Sequence, residues 1–195
     1  MSTTTVYFVR HAEADNSVAD DRNRPLTEKG RADCALVTEY LRDKNIEIVL
    51  SSPYRRAADT ISDFARSVNI PIETVEDFRE FKLCEVWLDD FMAISERQWA
   101  DFTYRLPDGE CLRDVQVRNV AALSDALKRY EGKNIVIGTH GTALAVTINY
   151  FDSSFGFDDF MAMVYTRPWI VRMEFISSAG ASGASCAGIE KISLY

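Results

Sequence analysis

Apolar residues follow two rhythms along this chain. Short β-branched and aromatic runs, Val6-Tyr7-Phe8-Val9, Ile46 to Leu50, Ile72 to Val75 and Ile135-Val136-Ile137, alternate with longer stretches in which apolar positions recur every three or four residues. Uninterrupted short runs predict strands buried on both faces, and the longer spacing predicts amphipathic helices. Strands are therefore expected over 4–9, 46–50, 72–75 and 134–137. Helices are expected over Thr27 to Lys44, Arg55 to Val68, Leu112 to Tyr130 and Thr142 to Phe151. Thr27 is a good N-cap, because its hydroxyl can accept from a free amide of the first turn, and Ala32, Ala35, Leu36, Tyr40 and Leu41 form the stripe behind it. Strands alternating with helices predict a three-layer α/β/α sandwich around a mostly parallel sheet. Ile170 to Phe175 and Ile189 to Leu194 read as closing strands, with antiparallel pairing one option.

Two segments break the rhythm. Phe81 to Leu106 is rich in aromatics and acids, with helical stretches around Asp90 to Phe102, and the expectation is one domain over 1–195 with a capping insertion at about 81–110. Ser177 to Gly188 is rich in small residues. Its glycines do not form G-x-G-x-x-G and do not join a strand to a helix, so a loop is expected there and not a nucleotide cradle.

Composition narrows the choice of partners. A formal charge of -8 without a Lys/Arg block excludes the basic face that nucleic acid or an anionic membrane requires. An anionic ligand must then be attracted locally. No apolar run reaches the ~18 residues of a membrane helix, and Met1 to Thr5 has neither a basic region nor an apolar signal core, so a cytoplasmic protein is expected. Cys34, Cys84, Cys111 and Cys186 are scattered without a C-x-x-C pair, which predicts reduced thiols. A homodimer is compatible with the sequence and not required by it.

The chemistry is concentrated at the strand ends. The chain's two histidines each follow a predicted strand, in Arg10-His11-Ala12-Glu13 and in Thr139-His140-Gly141-Thr142, and Ser51-Ser52-Pro53-Tyr54-Arg55-Arg56 follows another. In an open α/β sheet, groups past the carboxyl ends of strands share the ligand crevice. Arginine forks match phosphate oxygens, and the free amides of a helix start favour an anion. One histidine after a strand is most often structural, and one arginine near a helix start is most often a surface cation. Two imidazoles and two arginine-bearing strand ends together predict a phosphate site.

These residues resemble the signature of the histidine phosphatase superfamily, the phosphoglycerate mutase-like proteins. The ordered set carries the resemblance: Arg10-His11-Ala12-Glu13; Leu26-Thr27-Glu28-Lys29-Gly30; Ser51 to Ala57 with Thr60; Phe78-Arg79-Glu80; Pro107-Asp108-Gly109-Glu110; and Thr139-His140-Gly141. It implies phosphoryl transfer through a phosphohistidine on His11, with Arg10, Arg56 and a protonated His140 holding the phosphoryl oxygens and Arg55 outside that set. Glu80 matches the acid that protonates the leaving oxygen and then deprotonates water, a role that calls for a raised carboxyl pKa. Asn16, Ser17, Gly141 and Thr142 are the further substrate contacts implied. No metal or other cofactor is called for, and Asp89-Asp90 and Asp158-Asp159 read as surface acids.

The chain departs from the family pattern around the substrate. Ser17 stands where many members have asparagine, with Asn16 one residue earlier. Phe81 to Trp87 replaces Gly-x-Trp-x-Gly, and Cys111 replaces a serine. The implied activity is hydrolysis of a small metabolite's phosphomonoester. A phosphoglycerate mutase, a phosphohistidine-protein phosphatase and a non-catalytic phospholigand-binding protein are the alternatives. A mutase must retain its intermediate under a longer, more basic cap than this acidic segment offers.

Overall fold

The computed structural model describes residues 1–84, 91–177 and 183–194. β1 (Ser2–Arg10) leads through a loop to α1 (Glu28–Leu41), followed by β2 (Ile48–Ser51), α2 (Arg55–Ser67), β3 (Ile72–Thr74) and a 3-10 turn over Glu76–Phe78. Then come α3 (Phe91–Ala100), α4 (Leu112–Arg129), β4 (Asn134–Thr139), α5 (Gly141–Phe151), α6 (Phe157–Val164), β5 (Trp169–Ser177) and β6 (Ser185–Ile192). Among the described residues six strands form one sheet in the order β3-β2-β4-β1-β5-β6. β1, β2, β3 and β4 run parallel, while β5 pairs antiparallel with β1 and with β6.

Strand alternation explains the three layers. Val6, Phe8, Leu50, Ile135, Ile137, Val171 and Met173 pack on one side with Leu123, Leu127, Leu144 and Ile148 of α4 and α5. Tyr7, Val9, Val49, Val136 and Ile170 pack on the other with Val37, Leu41, Ile61 and Phe64 of α1 and α2. Successive side chains of a strand point to opposite faces, so a continuous apolar run supplies both cores. Thr27 caps α1 as expected, its Oγ1 accepting from the Gly30 amide at 2.9 Å.

Three differences from the sequence reading are local. α6 had no periodic signal of its own: it is short, it buries Phe160 and Met163, and its start is fixed by Asp159 accepting from the Gly156 amide at 3.2 Å. Asp159 also pairs with Lys191, so this acid has a structural role. β6 begins at Ser185, inside the stretch read as a loop, because pairing with β5 outweighs its weak composition. Residues 178–182 of that loop, and Asp89-Asp90 with Trp87, lie outside the described residues. Cys34, Cys84, Cys111 and Cys186 form no disulfide with one another. No helix among the described residues is long and apolar enough to cross a membrane.

Candidate active site

The parallel register sets the site. Arg10 lies opposite Thr139, and Ser51 opposite Gly138, so the residues leaving β1, β2 and β4 emerge at one sheet edge. The His11 amide donates to the Thr139 carbonyl at 3.0 Å, and the Ser52 amide to the Gly138 carbonyl at 2.9 Å, which extends the ladder into the loops. Thr60 on α2 accepts from the Ala12 amide at 3.0 Å and donates to the Arg56 carbonyl at 2.7 Å. Glu13 accepts from the Thr27 hydroxyl at 2.9 Å, binding the same loop to the start of α1. Gly30 permits that contact, since a Cβ there would meet the Glu13 carbonyl oxygen at 2.2 Å.

His11 is held in one tautomer. Its Nδ1 lies 2.7 Å from the Ala12 carbonyl oxygen, which can only accept, and its Nε2 lies 3.2 Å from Arg56 Nε, which can only donate. The proton therefore sits on Nδ1 and the lone pair on Nε2. Burial, then the Arg56 and Arg10 charges, hold the imidazole pKa well below its ordinary 6.5. A neutral imidazole with Nε2 unprotonated is the form that can attack phosphorus, once the substrate's oxygens draw the Arg56 donor away from that lone pair.

Arg56 enters from the first turn of α2, 4 % exposed, with Nη1 3.1 Å from the Asp21 carboxylate and the Tyr54 ring 4.9 Å from its carbon centre. Arg55 points outward to Asp59. Arg10 donates from Nη1 to the carbonyls of Met163 and of Thr166, the latter at 3.1 Å. Burial and the neighbouring Arg167 push its pKa down to about 9, with Glu80 opposing. A buried guanidinium crowded by another cation favours binding of an anion.

His140 is fully buried, its Nε2 2.7 Å from Ser52 Oγ and its ring centroid 5.3 Å from that of His11. His140 Nδ1 and Arg10 Nε have no hydrogen-bond partner among the described residues. Within the protein, burial and then Arg56 and His11 push the His140 pKa well down. This runs against the expected protonation, and only an added anion such as a phosphoryl group would reverse it. Glu80 takes the start of α5: its Oε1 accepts from the Phe81 and Ala143 amides at 2.8 and 3.1 Å, and its Oε2 from the Thr142 amide at 3.4 Å. The anion at this helix start is thus the protein's own carboxylate, and the Thr142 amide is engaged by Glu80.

These groups face a cavity of about 400 Å³. Arg10, His11, Arg56, Glu80, Gly141, Thr142 and Asn16 line it, while His140 lies beneath its surface. Ser17 is not a lining residue; its amide and hydroxyl donate to Asp15 at 3.0 and 2.6 Å. Arg24, Arg167 and Asp21 add charge to the walls, and Phe81, Leu83, Phe91, Phe160 and Val164 add apolar surface. The sequence reading named none of these eight as a site residue, although Phe81, Leu83 and Phe91 lie in the segment it expected to cap the site. Arg167 is brought there by the antiparallel run of β5, which puts the residues just before Trp169 at the rim where the parallel strands end. Among the described residues no group of three or more His, Cys, Asp or Glu gathers as a metal site.

Comparison with known proteins agrees with this geometry. A family model of the histidine phosphatase superfamily (branch 1) matches residues 6–168. A probable phosphoglycerate mutase, GpmB, of Enterobacter sp. (strain 638) is 30 % identical over 156 residues, covering 74 % of this chain and 73 % of that protein. An uncharacterized phosphatase, PhoE, of Bacillus subtilis (strain 168) is 27 % identical over 147 residues, covering 72 % and 74 %. Among solved structures, Bacillus stearothermophilus YhfR superposes with a TM-score of 0.72 at 26 % identity, over 94 % of this chain and 95 % of that one. A mycobacterial glucosyl-3-phosphoglycerate phosphatase shares the fold, with a TM-score of 0.78 at 16 % identity over 97 % and 98 % of the two chains. Because the matched span runs from the first strand to the residue before β5 and contains both histidines, the chain belongs to the histidine phosphatase superfamily, branch 1.

Proposed function

We propose that the protein is a metal-independent phosphomonoesterase acting on a small phosphorylated metabolite. The observation that carries this reading is the fixed tautomer of His11, whose Nε2 lone pair faces Arg56 at the cavity. In the first step Nε2 attacks phosphorus in line as the P–O bond to the substrate alcohol breaks, and Glu80 donates a proton to the departing oxygen. In the second step Glu80 takes a proton from water, whose oxygen attacks phosphorus. The P–N bond breaks, and phosphate and His11 are restored. Arg10, Arg56 and His140 stabilise the equatorial oxygens. Gly141 and Asn16 border the same space.

Two observations favour hydrolysis of an ester. Glu80 borders the cavity, where an alcohol leaving group would need its proton; a phosphoramidate leaving group needs such help less. The described residues of the proposed cap, 81–84 and 91–110, contribute Phe81, Leu83 and Phe91 to the wall and no cation, which suits release of the alcohol better than retention of a doubly phosphorylated intermediate. The test is phosphate release from a panel of phosphomonoesters, 3-phosphoglycerate and a phosphohistidine donor in EDTA, with wild type beside His11→Ala. Turnover in EDTA, with an acid-labile phosphoenzyme absent from His11→Ala, is expected. Full activity in His11→Ala overturns the mechanism, and isomerisation of 3-phosphoglycerate faster than phosphate release assigns a mutase.

A further inference from the structure

The Pro107-Asp108-Gly109-Glu110 turn and α4 stand outside the chemistry described so far, yet they hold the segment that carries Glu80. Arg118 of α4, its side chain only 9 % exposed, donates from Nη1 to the carbonyls of Asp77 and Arg79 at 2.9 and 2.7 Å, and from Nη2 to the Glu80 carbonyl at 3.1 Å. The same guanidinium grips Glu110 with Nε on Oε1 at 2.8 Å and Nη2 on Oε2 at 2.9 Å. Glu110 then completes the clamp on the far side of Glu80. Its Oε2 accepts from the Lys82 amide at 3.1 Å, its own amide donates to the Lys82 carbonyl at 2.8 Å, and its Oε1 accepts from Arg79 at 3.1 Å. Burial opposes the Glu110 charge, but hydrogen bonds from Arg118 and the Lys82 amide prevail and hold its carboxyl below the ordinary value. Gly109 allows the close approach, since a Cβ there would meet the Leu83 carbonyl oxygen at 2.1 Å.

We propose that Arg118 and Glu110 are positioning residues for general acid and base chemistry, fixing the backbone on both sides of Glu80 so that its carboxyl group stays at the α5 start, on the wall of the cavity that His11 also lines. The inference rests on the reading of Glu80 as the acid. The physical need is specific. Glu80 sits in a stretch without helix or strand, so no regular ladder holds its backbone. A planar guanidinium with five donors can satisfy several carbonyls and a carboxylate at once, which lysine cannot do. Among the described residues Arg118 makes no hydrogen bond to His11, Arg56 or His140, and because its charge acts on His140 from a distance, Arg118→Lys, which keeps that charge, should leave the phosphoryl floor intact.

The experiment compares wild type, Arg118→Lys, Glu110→Gln and Glu80→Gln on phenyl phosphate, whose leaving group needs a proton, and on 2,4-dinitrophenyl phosphate, whose leaving group does not. Because kcat/KM reports the steps through P–O cleavage, Arg118→Lys and Glu110→Gln are expected to lower it by about 10- to 100-fold for phenyl phosphate and by less than about 3-fold for the dinitrophenyl ester. On the dinitrophenyl ester kcat and KM should fall together, since phosphoenzyme hydrolysis still needs the base. Vanadate inhibition should stay as in wild type. In Arg118→Lys/Glu80→Gln the phenyl phosphate loss should match Glu80→Gln alone. Equal losses on both esters, weakened vanadate binding or unchanged phenyl phosphate turnover in both clamp variants overturns the proposal while a selective Glu80→Gln effect leaves the acid assignment standing. A Glu80→Gln enzyme with no leaving-group dependence overturns both.

Discussion

Arg10, His11, Arg56 and His140 on the cavity floor are each at most 7 % exposed and come from the ends of β1 and β4 and the start of α2, whereas Phe91 on the outer wall is 41 % exposed and comes from α3. The floor inherits its geometry from the sheet register, where each strand end is fixed by neighbours on both sides. α3 instead packs against α6 through side chains, the Trp99 and Phe160 rings lying 5.5 Å apart, and Phe160 and Val164 of α6 line the same cavity as Phe91. On the proposed reading, floor and wall divide the work. Charge placement around phosphorus tolerates little displacement, because small errors in oxyanion contacts cost much of the rate. On that reading, selection among alcohols falls to the wall, where a few side chains could change without touching the residues around phosphorus.

The contrast can be broken most severely at its centre. His11→Ala is expected to lower kcat by about 10⁴-fold or more, read as phosphate release, because a nucleophile's removal leaves only binding and electrostatic contributions. Arg56→Lys keeps the charge but loses the fork that reaches both His11 Nε2 and Asp21, and kcat should fall about 10²- to 10³-fold with weaker vanadate inhibition. A fall under 5-fold would show that the floor does not depend on this geometry.

The scaffold behind the floor should be equally unforgiving. Gly30→Ala places a methyl against the Glu13 carbonyl, and a loss of about 1–3 kcal/mol is expected in urea unfolding, the usual range for overpacking. Acid should expose the buried imidazoles. His11 and His140 have native pKa values held well below 6.5 by burial and cations, so the unfolded chain binds more protons at low pH. Their contribution is complete above about pH 6.5 and is lost as pH falls below it, at about 1.4 kcal/mol per pH unit for each histidine until its native pKa is reached. Thermal melts between pH 7.5 and 5.5 should show a falling midpoint, and a flat profile would contradict neutral histidines. At the wall, Phe91→Ala should change KM by about 2- to 10-fold, in a leaving-group-dependent way and with kcat nearly constant, since it removes apolar contact with no charge at phosphorus.

Much of the floor was legible in the sequence because its residues sit at fixed distances from strong strand signals. His11 and His140 follow apolar runs directly, and the register of β1 against β4 then leaves little freedom in where they meet. Of the wall, only the capping segment that carries Phe81, Leu83 and Phe91 was legible, and the remainder was not, for the opposite reason. Phe160 belongs to an eight-residue helix too short to show a period, and Arg167 reaches the rim only because β5 runs antiparallel. Asn16 and Ser17 were read together from one turn, yet only Asn16 lines the cavity, since the Asp15 carboxylate engages Ser17.

The sequence by itself determined the alternation of strands and helices, the Thr27 cap and the strand ends that bear His11, Arg56 and His140, because these depend on local periodicity and short-range hydrogen bonding. Only the tertiary structure decided that Arg56 donates to His11 Nε2, which amides of α5 hold Glu80, and that Arg118, 38 positions further along, grips the Glu80 carbonyl. Those features arise where distant segments are packed together, and no local pattern encodes such a distance.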